Sequence, residues 1–101
     1  MSAPTPQVKA FEQPTGSFAR SVKRLNEPMK RQLANVMDEL LNGTLSPGRR
    51  YEKLAGGENH YSVRLNQSYR FVFMLLDTGN AKPIAVGPHD EAYRRARSSG
   101  T

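Results

Sequence analysis

The sequence predicts an α+β fold in which two N-terminal helices form a hairpin packed on a small antiparallel β-sheet, followed by a short C-terminal helix. In the first half of the chain, apolar residues recur at spacings of three and four, as in amphipathic helices. In the second half they alternate with polar residues, as in strands. The chain has 101 residues and is 37% apolar, which supports one small core. We therefore predict a single domain over residues 7–97, with flexible tails at residues 1–6 and 98–101.

Both helices of the hairpin are predicted from apolar stripes and end signals. The first is expected over residues 17–25, and its stripe consists of Phe18, Val22 and Leu25. Asn26 is a favourable N-cap for the second helix, Pro28 suits its first turn, and Asn42 with Gly43 supplies the stop. The second stripe consists of Met29, Leu33, Val36, Met37, Leu40 and Leu41. A link this short makes the two helices a hairpin whose apolar face needs a sheet to cover it.

The rest of the chain predicts an antiparallel meander. Residues 61–65 alternate, residues 69–76 are apolar on both faces as in a central strand, and a tight turn leads to a third strand at residues 84–86. A further short strand is expected at residues 7–11. Asp90 can cap the last helix, whose basic residues are Arg94, Arg95 and Arg97.

The charge balance predicts an acidic partner. Fifteen Lys and Arg residues against nine Asp and Glu give a formal net charge of +6, and a small basic domain attracts polyanions such as nucleic acid. A solvated basic surface is the alternative.

Composition argues against several other classes. The absence of cysteine and the presence of only two histidines exclude disulfides and thiolate zinc sites, so we expect no metal and no cofactor. The longest apolar run, residues 71–76, is far short of the roughly 20 residues that cross a bilayer. Without an apolar signal core at the N-terminus, the expected location is the cytoplasm, with no membrane partner.

Arg64 and Arg70 are the first candidate site residues. Arg64 shares a strand face with Ser62, opposite to the apolar set, and Arg70 can project onto the same polar face from the next strand. An arginine in the middle of a sheet is costly unless it pairs or points into a solvated groove. The sequence favours a groove, and an ion pair with Asp77 or Glu58 is the alternative.

His89 and Tyr93 are candidates because of their place after the third strand. Functional side chains often follow strand ends, and an imidazole suits proton transfer near neutrality. Tyr93 lies one helical turn further and could flank the same site, although surface capping and core packing are the ordinary alternatives for the two. The other histidine, His60, is interpreted as a turn residue.

Arg49, Arg50 and Lys53 form a separate basic group before that turn. Such a group can hold backbone phosphates through charge without reading sequence, or it can simply be solvated.

Three segments resemble the RelE/ParE superfamily of bacterial toxin-antitoxin toxins: KLAGG at residues 53–57, YSVRLNQSYRFVF at 61–73 and VGPHDEAY at 86–93. The resemblance spans about residues 18–93 and implies two N-terminal helices on a small antiparallel sheet. The residues aligned with functional positions of the ribonuclease members are Lys53, Arg64, Arg70, His89 and Tyr93. Ser62 stands where RelE has a lysine, and Pro88 replaces a further basic residue. His89 stands where RelE has an arginine and the HigB and YoeB toxins have a histidine.

The resemblance implies a metal-free endoribonuclease that cleaves mRNA, in association with the ribosome, and so inhibits translation and growth. Attack of the ribose 2′-OH on the adjacent phosphate would leave a 2′,3′-cyclic phosphate. Arg64 and Arg70 would then stabilise the phosphorane, His89 would transfer a proton and Tyr93 would stack on a base or contact phosphate. The expected RNA and phosphate contacts are Lys53, Arg50, Arg49 and Ser62.

A cognate antitoxin is implied as well, covering the basic groove or the helix faces in a hetero-oligomer. Two other functions stay open from the sequence. ParE members inhibit DNA gyrase by binding it, without a ribonuclease site, and a superfamily member could also bind RNA or its partner without being toxic.

Overall fold

The computed structural model describes residues 7–54, 59–89 and 92, which form two helices and a four-stranded antiparallel sheet. The elements in chain order are α1 (Gly16–Lys23), α2 (Glu27–Asn42), a 3-10 turn (Pro47–Arg49), β1 (Glu52–Lys53), β2 (His60–Arg64), β3 (Tyr69–Leu75) and β4 (Ala81–Pro88). The strands lie side by side in the order β1-β2-β3-β4. This arrangement confirms the predicted fold class and the meander. Both predicted tails lie outside the described residues.

Side-chain caps explain where the two helices begin. The Thr15 side chain accepts a hydrogen bond from the Phe18 N–H at 3.1 Å, and Asn26 Oδ1 accepts one from the Met29 N–H at 2.9 Å. Gly43 ends α2 with a φ of 69°, a left-handed conformation that favours glycine. The predicted cap and stop of α2 are therefore confirmed. The predicted end of the first helix at residue 25 is two residues too late.

The main core lies between the helices and one face of the sheet. Val36 and Leu40 of α2 and Phe71 and Phe73 of β3 are fully buried there. Phe18 of α1 packs on Phe71 with ring centroids 5.8 Å apart. Burying a large apolar side chain contributes about 1.5–3 kcal/mol, so this face supplies most of the hydrophobic stabilisation.

The predicted strand at residues 7–11 is wrong. Only Phe11 forms a bridge, parallel to Ala81 at the start of β4. The Glu12 N–H donates to the Ala81 carbonyl at 2.8 Å, while the Val8 N–H donates to the Leu40 carbonyl of α2 at 2.9 Å. The segment therefore divides its main-chain hydrogen bonds between sheet and helix instead of forming a ladder.

Two strands differ from the sequence prediction. β1 was not predicted, because two residues are too few to show alternation. β4 begins at Ala81, three residues before the predicted start. It contains Pro83, which an edge strand tolerates because one side of its main chain needs no donor. A bulge places Ile84 between the partners of Val72 and Phe73.

The second face of the sheet carries a small apolar cluster of its own. The buried members are Val72, Ile84, Ala85 and Ala92, with Leu54 and Met74 packed against them. The face that β2 led us to expect as polar is therefore partly apolar, as the apolar residues expected on both faces of the central strand indicate. Because Ala92 belongs to the cluster, the chain turns back over this face after β4.

His89 and Ala92 are both helical. His89 lies one residue before the predicted cap, so the chain is helical one residue earlier than the sequence indicated. That cap, Asp90, and the basic residues Arg94, Arg95 and Arg97 lie outside the described residues. Neither α1 nor α2 combines the length and the apolar content that a bilayer-spanning segment requires.

Candidate functional site

The sheet face turned away from the helices is built from three cross-strand rows, because paired residues of neighbouring strands point to the same face. The first row is Leu54, His60, Met74 and Lys82. The second row is Glu52, Ser62, Val72 and Ala85. The third row is Arg64, Arg70 and Gly87. Apolar side chains therefore occupy the middle of the face, and the third row places two arginines together at one end of the sheet.

Arg64 and Arg70 stand directly opposite each other on β2 and β3. The next pair is hydrogen bonded, since the Leu65 N–H donates to the Tyr69 carbonyl at 2.9 Å. The two arginines therefore form a non-hydrogen-bonded pair, whose Cα atoms approach to about 4.5 Å in such ladders. Like charges directly opposite each other destabilise a sheet. An anion bound between them would remove that repulsion.

Arg70 is held by main-chain carbonyls of the loop before its strand. Its Nη1 donates to the carbonyls of Asn66 at 2.9 Å and Tyr69 at 3.0 Å. The Asn66 side chain stabilises the same loop by accepting from the N–H groups of Ser68 and Tyr69, both at 2.8 Å. These contacts orient Arg70 without neutralising its charge. The structure records no ion pair between Arg70 and Asp77, and Glu58 lies outside the described residues.

Arg64 has an unsatisfied donor. Its Nε is buried and has no hydrogen-bond partner among the described residues. A buried donor without a partner costs about 1–3 kcal/mol.

The main chain of His89 lies at the same end of the sheet as the arginines. Its N–H donates to the Ser68 carbonyl at 2.8 Å, so it is joined to the loop that also holds Arg70. The side chain is exposed. The fold therefore brings Arg64, Arg70 and His89 to one corner, while Tyr93 lies outside the described residues.

Ser62 is buried, with 1% of its surface exposed. It lies in the second row, paired with Val72 of β3. A hydroxyl so enclosed does not fit the expected contact with RNA phosphate. Its row partner on β1 is Glu52, an exposed carboxylate. The sequence analysis did not predict that Glu52 would lie beside a candidate site residue, because it considered only the basic residues of this segment.

Arg49 is used inside the fold. Its Nη2 lies 3.1 Å from Glu39 Oε2 of α2, and its Nη1 donates to the Leu65 carbonyl at 3.1 Å and to that of Arg64 at 3.4 Å. Only 16% of the side chain is exposed. The expected phosphate contact is therefore replaced by a structural one, in which Arg49 ties α2 to the end of β2. Its neighbour Arg50 is exposed.

Lys53 lies on the other face of the sheet. It pairs with Tyr61, whose ring contributes to the helix-side core. The rings of Tyr61 and Tyr51 stack there, with centroids 4.9 Å apart and planes inclined by 6°. Burial raises the pKa of the Tyr51 phenol well above its ordinary value, and the proximity of Tyr61 and a hydrogen bond with it add to the shift. The exposed Lys53 is therefore not a neighbour of the arginine pair.

His60 is the first residue of β2 rather than a turn residue, so the sequence interpretation is wrong. It lies in the first row, with 7% of its surface exposed. Sequence reasoning missed this position because a strand boundary beside a glycine-rich turn has no clear pattern.

The structure is that of an α+β protein with two arginines paired at one end of its sheet. Comparison with known proteins makes the fold specific. No family model and no curated protein sequence matches the chain. A chain of the Escherichia coli DinJ-YafQ complex superposes with a TM-score of 0.70 and 18% identity, over 86% of this chain and 99% of that one. A chain of the RelB-RelE antitoxin-toxin complex from Methanococcus jannaschii gives 0.65 and 15%, over 81% and 95%. A metal-bound toxin from Helicobacter pylori gives 0.68 and 16%, over 84% and 98%.

The expected RelE-like fold is therefore confirmed over most of the chain. At these identities the likeness is one of fold, and function has to be argued from the site.

Proposed function

We propose that the protein is the toxin of a toxin-antitoxin pair and acts as an endoribonuclease on mRNA at the ribosome. The observation that carries the proposal is the Arg64–Arg70 pair, two cations directly opposite each other on neighbouring strands. A fold keeps so costly an arrangement where an anion completes it. The phosphate of RNA is that anion, in keeping with the net charge of +6.

The proposed reaction is a transesterification in which the 2′-oxygen of one nucleotide displaces the 5′-oxygen of the next. The 2′-oxygen forms a bond to phosphorus, the bond from phosphorus to the 5′-oxygen breaks, and a 2′,3′-cyclic phosphate and a 5′-OH remain. The 2′-OH gives up one proton and the departing 5′-oxygen takes one, so a proton acceptor and a proton donor are needed. We assign proton transfer to His89. Arg64 and Arg70 stabilise the charge that develops on the phosphorane oxygens.

The remaining sequence candidates divide between two roles. Tyr93 is proposed to stack on a base or contact phosphate, as the resemblance implies. The exposed Arg50 and Lys53 are proposed to contact phosphates at the β1 edge, away from the cleavage site. Arg49 and Ser62 are left out because one is bound internally and the other is buried.

An antitoxin is the proposed protein partner. The similar chains include members of the DinJ-YafQ and RelB-RelE complexes, and an acidic segment laid over the arginine pair would neutralise it. Affinity purification of the tagged chain from its native host tests this. Recovery of the chain alone, with no harm to cells that express it freely, would contradict the proposal.

The decisive experiment is induction of the protein in cells followed by mapping of RNA 5′ ends. We expect new ends inside translated messages, absent in both Arg70→Ala and His89→Gln. Arg31→Ala is the matched control, since it removes an exposed cation from α2 and should cleave like the unaltered protein. Growth arrest without new RNA ends would overturn the ribonuclease proposal, and loss of supercoiling activity in a gyrase assay would then identify a ParE-like inhibitor.

A further inference from the structure

A cavity of about 150 Å³ lies on the helix side of the sheet, at the same corner as the arginine pair. The end of α1 and two residues that follow it line one part of the cavity, Tyr69 of β3 lines another, and the end of β4 lines the rest. Its described lining includes Ser21, Arg24, Leu25, Tyr69, Gly87 and Pro88. None of these residues has a role in the reaction proposed above.

The register places this cavity beside the proposed cleavage site. Tyr69 pairs with Pro88, and the next pair along the ladder is Arg70 with Gly87. Successive residues of a strand point to opposite faces. The cavity and the arginine pair therefore lie back to back across the end of β4, separated by the thickness of one strand, and the corner of the sheet joins them.

The lining suits a planar aromatic ligand. Leu25 and Val86, which belong to the core, contribute apolar surface to the lining, and Ser21 and Arg24 contribute polar surface. A tyrosine ring and an arginine side chain stand at the wall, and both groups present planar surfaces on which nucleobases stack in single-stranded RNA complexes. A cavity of about 150 Å³ admits benzene in an engineered protein, so a ring of pyrimidine size fits.

The polar atoms of the lining complete this description. Ser21 Oγ donates to the Ser17 carbonyl at 2.9 Å, which leaves its oxygen able to accept from a ligand N–H. Pro88 has no N–H of its own, so the main chain of β4 can only accept hydrogen bonds at this residue, through its carbonyl oxygen. Polar groups beside a stacking surface can fix the orientation of a bound base.

We propose that this cavity binds the base of a nucleotide adjacent to the scissile phosphate, with a pyrimidine as the better fit. The inference rests on the proposed ribonuclease function, because it requires an RNA strand that passes from the arginine pair around the corner of the sheet into the cavity. A phosphate then lies against Arg64 and Arg70 while the neighbouring base enters between Arg24 and Tyr69. An apolar side chain of a protein partner is the competing occupant.

The first test compares cleavage sites in cells. Ser21→Met places a long apolar side chain in the cavity without touching the arginine pair, and Tyr69→Leu removes the ring. We expect both variants to cut RNA but to lose a pyrimidine preference at one position beside the cut. The control is Arg20→Gln, which changes an exposed cation of the same helix and should keep the preference. Cutting with an unchanged preference in both cavity variants, or a purine preference in the unaltered protein, would overturn the inference.

The second test measures binding without cleavage. Uridine monophosphate is titrated into the purified protein while amide shifts are followed by NMR. We expect shifts at Ser21, Tyr69 and Gly87, and roughly tenfold weaker binding in Ser21→Met, given the usual contribution of base stacking. Binding here by a protein that never cleaves RNA would contradict the proposed function and leave the cavity assignment standing. Shifts with an antitoxin peptide but none with the nucleotide would assign the cavity to a protein partner instead.

Discussion

The two faces of the sheet differ in the side chains that they carry and in what those side chains contribute to stability. On the helix side Phe71 and Phe73 are fully buried and pack against neighbouring rings, with 5.5 Å between their own centroids. On the other side the apolar cluster is small, and Arg64 and Arg70 are placed directly opposite each other. One face is arranged for stability. The other face keeps two opposed arginines at an electrostatic cost. Mutations on the helix side should therefore change mainly stability, and mutations of the arginine pair should change mainly activity.

The largest expected effect lies on the helix side. Phe71→Ala should lower the free energy of unfolding by about 3–5 kcal/mol, because it removes a fully buried ring and leaves a cavity. Urea denaturation followed by circular dichroism measures this. Val72→Ala, one residue along and on the other face, is the control and should cost clearly less. Equal losses at the two positions would contradict the division between the faces.

Arg70→Ala should have the next largest effect, on activity alone. Removing one donor that stabilises developing charge costs roughly 10²–10³ in rate. The fold loses the contacts to the carbonyls of Asn66 in the preceding loop and of Tyr69 at the start of β3. Cleavage rate and urea midpoint should be measured on the same preparation. A fall in the midpoint as large as that of Phe71→Ala would show that Arg70 is structural.

Arg49→Ala should destabilise the fold by about 1–2 kcal/mol, because Glu39 and two main-chain carbonyls lose their partner. The exposed neighbour supplies the control, since Arg50→Ala breaks no recorded contact and should leave the urea midpoint nearly unchanged. If Arg50→Ala were the more destabilising of the two, the structural role of Arg49 would be wrong.

Arg64→Met should move stability in the favourable direction. The substitution keeps the aliphatic stem and removes both the repulsion with Arg70 and the unsatisfied Nε, so we expect a gain of about 1 kcal/mol in the free energy of unfolding. RNA cleavage should be lost at the same time. A variant that is both less stable and fully active would contradict the view of this pair as a site held at a cost.

The smallest expected effect is confined to alkaline pH. The folded protein raises the pKa of Tyr51, so the phenol loses its proton more readily in the unfolded chain. The stabilisation is complete below about pH 10 and falls as the pH rises toward the folded-state pKa. Tyr51→Phe should therefore lose less stability between pH 9 and pH 11 than the unaltered protein, as thermal melts would show. Parallel curves for the two proteins would exclude this role.

The sequence by itself determined the elements whose signals are local. The apolar stripe of α2, its Asn26 cap and its Gly43 stop all depend on residues within a few positions of one another, because helix hydrogen bonds join near neighbours. The hairpin of β2 and β3 could also be predicted from the sequence, because alternation of apolar and polar residues and a short polar link are enough to pair adjacent strands. The same alternation placed Arg64 and Arg70 on one face.

Only the tertiary structure decided which of the candidate residues meet. Lys53 lies on the wrong face for the arginine pair because β1 pairs in a register that two residues cannot reveal. Arg49 forms an ion pair with Glu39, ten positions earlier, and Ser62 is buried in the middle row of the sheet. Each outcome depends on contacts between residues that are distant in the sequence. The pattern of charges along the chain does not determine which residues a side chain will contact in the folded protein.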